Sequence, residues 1–303
     1  MKDKPAVAIF CAALGNIIWG FSFLLIRIGL TVVNEPYIML AHRFTISTLV
    51  MLGMMLFGKN KLSFKGKNWR PVALLMLMQV CYYLFETYGI LYTNSTVSGL
   101  VLAVVPVVTI GTGALFLKEY PTKRQALFCI MPVAGVIIIS ITGKELGVSN
   151  LLLGGIFLLL TVLSSAIYKT ANRKAATEFS SFERTFLVLA GSATVFNVIG
   201  MKLAGWDVAT FVAPLANIKY LLVVFFLGLL CSIAANMLVN YATSRMSVFK
   251  VSSFGSLSTL CAAVAGIVFL KEPITVSLVV GGVLILVGVR QVTKQPKEVK
   301  TDV

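Results

Sequence analysis

One acid, Glu86, sits inside the apolar and aromatic run QVCYYLFETYGILY at residues 79–92. If that run crosses a bilayer, the carboxylate must meet a cavity, a partner or a proton, because an unpaired charge near the membrane centre costs about 2.5–3.5 kcal/mol. Gln79, Tyr82, Tyr83 and Glu86 recur at i, i+3, i+4 and i+7, which puts them on one stripe of one helix. The matching cation is Arg43, with the single histidine, His42, beside it. Two readings follow. Glu86 and Arg43 form a fixed ion pair fastening two helices, or Glu86 faces a wet cavity, where it binds a cationic group of a solute or exchanges a proton while Arg43 gates it.

Further stripes favour a cavity. Asn16, Trp19 and Phe23 share a helical face, as do Thr161, Ser164, Ser165 and Tyr168; Asn236 and Asn240 lie one turn apart, and Ser252, Ser256 and Thr259 form another set. Singly, each is ordinary interhelical hydrogen bonding, worth about 0.6 kcal/mol between membrane helices. Together, aromatic rings with a few placed polar groups suit a small organic ligand better than a bare ion. Trp19, Tyr83 and Tyr168 offer ring faces to a cation, or serve as packing. No metal or cofactor is implied: Cys11, Cys81, Cys129, Cys231 and Cys261 form no paired spacing. A GxxxxGK[ST] nucleotide loop is absent from the sequence, so transport by this chain would draw on a gradient.

The elements that must position these residues are membrane helices. The 303 residues are 58% hydrophobic and 12% charged with mean hydropathy +0.94, against about 25% charged in soluble domains. Apolar stretches of about 20 residues, long enough to span about 30 Å of hydrocarbon, recur along the chain. Ten spans are expected, at 6–30, 37–57, 71–93, 97–117, 124–142, 150–172, 182–204, 217–243, 247–270 and 274–291. The longest connections, near 58–70 and 205–216, leave no room for a soluble domain. The first run exceeds the roughly 7–15 residues of a signal-peptide core. Pro106 and Pro132 are expected to kink their spans. Gly99 with Ala103, and Ala262 with Gly266, have the small-residue spacing of close helix packing.

The net charge of +15 is distributed as a membrane protein would have it. With both termini cytoplasmic, 20 of the 26 Lys and Arg lie toward the inside, Lys169, Arg173, Lys174 and Arg184 among them. Anionic inner-leaflet lipid accounts for such a basic surface without nucleic acid.

The tetrapeptide FLKE occurs at 116–119 and again at 269–272, an offset of 153 that also pairs Tyr88 with Tyr241 and Gly135 with Gly288. An offset of 146 pairs Arg27 with Arg173. The Lys and Glu of each FLKE are expected to end a helix at the membrane edge, pairing locally and anchoring it at the surface. Duplication of five spans, an odd number, inverts the second copy and sets a binding site near the midplane. The halves are expected at 1–145 and 146–303, the second with a short cytoplasmic tail.

WG in the first span, HRF at 42–44, YGILYTNSTVSGLVLAVVPVVT leading to FLKE, and the second FLKEP together resemble EamA-type members of the drug/metabolite transporter superfamily. The resemblance covers nearly the whole chain, although Thr259 stands where a second Pro106 would. It implies an all-α integral membrane protein of ten helices in two inverted five-helix repeats, with spans 1, 3, 4, 6, 8 and 9 around a central cavity. The expected substrate-binding residues are Asn16, Trp19, Phe23, Gln79, Tyr82, Tyr83, Glu86, Ser165, Tyr168, Asn236, Asn240 and Ser256, with Arg43 and Glu86 as an ion pair or gate. The expected function is secondary transport, as exporter or exchanger, of small organic metabolites such as amino acids by alternating access, with the proton as a coupling candidate. Facilitated diffusion and multidrug or purine transport are the alternatives. An intramembrane enzyme would need Ser22 and His42 to meet across two spans, with no G-x-S-x-G elbow present. A receptor or scaffold would need an exposed domain that the chain does not offer. Monomer and homodimer are both open, since ten spans can enclose a cavity in one chain.

Overall fold

The computed structural model describes residues 5–33, 35–58, 62–63, 66–117, 127–128, 130–141, 150–246, 251 and 254–293. Its regular elements are α1 (Pro5–Gly29), α2 (Pro36–Phe57), α3 (Arg70–Tyr92), α4 (Ser95–Leu102), α5 (Val105–Leu117), α6 (Ile130–Ile141), α7 (Leu151–Ala175) and α8 (Ser181–Leu203). There follow α9 (Val208–Val212), a 3-10 turn (Ala213–Ala216), α10 (Ile218–Phe226), a π-helical stretch (Leu227–Ala234), α11 (Ala235–Arg245), α12 (Gly255–Leu270) and α13 (Val276–Thr293). No strand occurs among the described residues.

Among the described residues seven helical segments are long and apolar enough to cross a membrane: α1, α2, α3, α4 with α5, α7, α8, and Ile218–Arg245. α6, α12 and α13 are shorter apolar helices at the places expected for the fifth, ninth and tenth spans. Residues 205–216, expected as a plain connection, contain α9 and the 3-10 turn.

Local chemistry explains most boundaries. Pro36 opens α2 at a position where its missing N–H costs nothing. Asn94 caps α4 by accepting from the Val97 amide at 2.8 Å, and Asn150 caps α7 through the Leu153 amide at 3.1 Å. Ser180 and Glu183 form a reciprocal capping box on α8. The fourth span is broken: α4 stops at Leu102 and α5 begins at Val105, one residue before Pro106, as a ring that clashes with the preceding turn requires. The side chain of Pro132 lies outside the described residues.

Small residues set the helix contacts. A Cβ on Gly99 would meet Ala262, joining α4 to α12, and one on Gly20 would press on Cys261 and the Ser258 carbonyl, joining α1 to α12. α3 and α7 run antiparallel: the Asn150 amide donates to the Tyr92 carbonyl at 3.3 Å, and Gly89 packs against Leu158. The main apolar core lies between α2, α8 and the eighth span, with Phe44 stacked on Phe196 at 5.7 Å between ring centroids.

Two contacts match across the offsets noted above. Arg27 Nη1 donates to the carbonyls of Ile90 and Leu91, each at 3.2 Å. Arg173 Nη1 donates to the Thr243 carbonyl at 2.8 Å. Arg173 follows Arg27 by 146 residues and Thr243 follows Ile90 by 153, so both members of the contact move together.

The second FLKE closes a helix, as expected. Lys271 takes a left-handed conformation (φ 56°) that ends α12 and turns the next residue back. Glu272 pairs with the start of α4, accepting from the amides of Ser95 and Thr96 at 2.9 Å each. In the first FLKE, Lys118 and Glu119 lie outside the described residues.

Candidate functional site

A cavity is lined from both halves of the chain: Asn16, Trp19, Ser22 and Phe23 of α1, Arg43 of α2, Gln79, Tyr82, Tyr83 and Glu86 of α3, and Val105 and Pro106 of α5. The later helices contribute Ser165, Tyr168, Lys169 and Asn172 of α7, Asn236, Val239 and Thr243 of α11, and Gly255 and Ser258 of α12. About 980 Å³ of empty space lies between these side chains and in the open mouth together.

The α3 stripe behaves as its spacing requires. Glu86 is 2% exposed and accepts a hydrogen bond from the Tyr82 hydroxyl one turn earlier, at 2.6 Å. Tyr83 turns its ring under Arg43, whose guanidinium carbon lies 4.5 Å from the ring centroid. The ion pair between Arg43 and Glu86 is not made: the described residues contain one salt bridge, Lys67 with Glu183. Arg43 is held by its Nε, which donates to Ser232 Oγ at 2.8 Å, and its Nη1 is buried without a partner. Ser232 belongs to the π-helical stretch. The same stretch lends the Gly228 carbonyl to Ser47 Oγ at 3.0 Å and the Cys231 carbonyl to Trp19 Nε1 at 2.9 Å.

The asparagines are fixed by their own helices. Asn16 Nδ2 donates to the Ala12 carbonyl at 2.7 Å, and Asn236 Nδ2 to the Ser232 carbonyl at 2.8 Å. Tyr168 brings a buried hydroxyl without a partner among the described residues.

Two expectations need amendment, those for Asn240 and Lys169. Asn240 shares a face with Asn236 but does not line the cavity: it accepts from Asn172 Nδ2 at 2.7 Å and donates to Thr185 Oγ1 at 2.9 Å. The cause is Arg184, 0% exposed, which donates to the Asn172 side chain, to the Asn240 carbonyl at 3.1 Å and to Ser244 Oγ at 2.8 Å. Ser256 belongs to α12, and its side chain lies outside the described residues. Lys169, counted by sequence among the inner-surface cations, lines the cavity; with Ser165 and Asn172 it sits at i+4 and i−3 on α7, a spacing that could have revealed it. Ser22 donates to the Trp19 carbonyl at 2.6 Å, whereas His42 pairs with the Tyr220 hydroxyl at 3.0 Å away from the cavity, so the two do not meet.

Against this geometry the comparisons with known proteins are decisive. The model of the EamA-like transporter family matches residues 6–141 and 152–293. The chain belongs to the EamA-like transporter family. Transporter YcxC of Bacillus subtilis (strain 168), named as uncharacterized, is 35% identical over 292 residues, covering 95% of this chain and 93% of that one. A probable terminal-alkyne amino-acid exporter of Streptantibioticus cattleyicolor is 21% identical, covering 96% and 95%. A solved crystal structure superposes with a TM-score of 0.64 at 15% identity, over 94% of this EamA chain and 96% of the other, which supports the fold alone. This EamA protein is therefore a multi-pass membrane transporter, and the cavity is its candidate substrate site.

Proposed function

We propose that this transporter moves small organic metabolites such as amino acids by alternating access, as an exporter or exchanger. The observation that carries the reading is one cavity, lined from both halves of the chain, that holds Glu86 and Arg43 unpaired with each other among the aromatic faces of Trp19, Tyr83 and Tyr168. An ammonium group meets Glu86 and those rings; a carboxylate meets Arg43. The name of the amino-acid exporter among its relatives agrees with that chemistry.

The remaining architecture is proposed with it. The chain has ten spans in two inverted five-helix halves, 1–145 and 146–303, with both termini in the cytoplasm. The twofold family match and the paired Arg27 and Arg173 contacts support duplication, and the cation distribution supports the orientation. The Pro106 break and the π-helical stretch lie beside the cavity, where interrupted helices let one half rock against the other. Glu86 binds the ammonium or carries a proton. Its partners are the solute, the proton and membrane lipid; a single chain encloses the site, as a monomer or within a homodimer, and the activity is transport rather than catalysis.

The test is counterflow of labelled amino acids, purines and cationic drugs by purified protein in sealed vesicles, with and without a proton gradient. Amino-acid counterflow that responds to the gradient supports proton-coupled transport, and a response to the drugs or purines alone moves the substrate class. Counterflow indifferent to the gradient describes a facilitator and leaves Glu86 a binding role.

A further inference from the structure

The charges in the cavity are unequal and unevenly placed. Among the described residues its acidic and basic lining groups are one carboxylate, Glu86, and two cations, Arg43 and Lys169. Glu86 already accepts the Tyr82 hydroxyl, while Arg43 Nη1 and the Tyr168 hydroxyl are buried with no partner among the described residues; Lys169, half-buried, has no hydrogen bond or ion pair with a described residue and faces the cavity. Buried donors left open in a native protein cost free energy unless something supplies acceptors. The cavity thus calls for more negative than positive charge in its ligand.

Position separates the two cations. Arg43 lies over Tyr83, one turn from Glu86, so the two can take the carboxylate and ammonium that an α-amino acid carries on a single carbon. Lys169 is elsewhere. Gly89 packs on Leu158 and Gly154 on Tyr92, so in this antiparallel pair Glu86 is level with Thr161 of α7. Lys169 stands eight residues beyond Thr161, about 12 Å along the helix axis at about 1.5 Å per residue. Its long flexible stem closes part of that gap, but the head group of a simple zwitterion does not extend across the rest.

We infer that the solute carries one ammonium and two acidic groups, and that Lys169 holds the second acidic group at the far end of the cavity. This rests on the amino-acid transport reading and sharpens it: neutral zwitterions fill only the Glu86 and Arg43 end, and a terminal acid completes the match.

The experiment is counterflow by the full-length protein in liposomes, comparing labelled glutamate with glutamine, leucine and lysine in the wild type, K169Q and K169R. Glutamate is expected to exchange at least about tenfold faster than glutamine in the wild type, since a site built around a charged group discriminates strongly against its neutral analogue. K169Q is expected to erase that preference while still exchanging glutamine, and K169R to keep it. Equal or faster exchange of glutamine or leucine in the wild type overturns this inference and leaves amino-acid transport standing, as does an unchanged preference in K169Q. Exchange of none of the four by correctly inserted protein overturns both. The wild-type comparison decides the matter even if a variant fails to fold.

Discussion

Glu272 and Thr96 are joined twice, the carboxylate accepting from the Thr96 amide at 2.9 Å and from its hydroxyl at 2.5 Å. A residue from the second half of the chain thereby satisfies the start of a helix in the first half, where orphan amides and the helix dipole favour negative charge. The seat is tight: a Cβ on Gly266 would collide with both side chains.

Removing that cap should cost stability. Glu272→Ala is expected to destabilise the protein by about 1–2 kcal/mol, the upper range for loss of an N-cap, and Glu272→Gln by less because an amide oxygen still accepts. Thermal unfolding of purified protein in detergent would show it, and an E272A protein melting with the wild type would refute the role.

Substitution at Glu86 should separate function from packing. Glu86→Gln is expected to lower counterflow at least about tenfold, as loss of a charged substrate contact does, with little change in melting. Transport at the wild-type rate with the same response to a proton gradient would remove Glu86 from the mechanism.

Tyr82→Phe strips the Glu86 carboxylate of its one hydroxyl donor. A buried acceptor left open costs about 1–3 kcal/mol, so the variant should melt lower than wild type, whereas the paired change with Glu86→Leu should recover part of the loss. Additive effects in that double-mutant cycle would mean that the 2.6 Å contact contributes nothing.

Gly99 meets Ala262 where α4 crosses α12. Gly99→Val should force the helices apart at a cost of about 1–3 kcal/mol, while Gly53→Val, with open space around it, should be nearly neutral. Comparable melting of the two variants would contradict the contact.

Arg184 ties α8 to α7 and α11 through Asn172, Asn240 and Ser244. Arg184→Met is expected to lose about 2–3 kcal/mol, because the carbonyls and amide it satisfies become unpaired. Since Arg184 does not line the cavity, folded protein that remains should exchange solute with an unaltered order of preference; a changed order would place Arg184 in the site.

Much of the site was legible because helical periodicity is a local rule. Gln79, Tyr82, Tyr83 and Glu86 share a face whatever surrounds them, and so do Asn16, Trp19 and Phe23; the structure turns both faces to one cavity. Hydropathy located the apolar segments for the same reason, since the bilayer imposes length and composition on each helix separately.

What needed the tertiary structure was every choice between partners. Asn236 and Asn240 look alike in sequence, yet only an arginine arriving from α8 decides that Asn240 is a strut. Lys169 looks like a cation of the inner surface until α7 is seen to carry it past the cavity. Arg43 and Glu86 match in charge and depth, but the π-helical stretch offers Ser232, and Tyr83 offers its ring, so the guanidinium is held without the acid. The sequence by itself determined a membrane transporter with a polar stripe on several helices, because periodicity and burial act along one chain segment at a time. Which polar groups bond each other and which stay open to a solute was decided by packing, because hydrogen bonds and charge pairs depend on distances that only the assembled helices define.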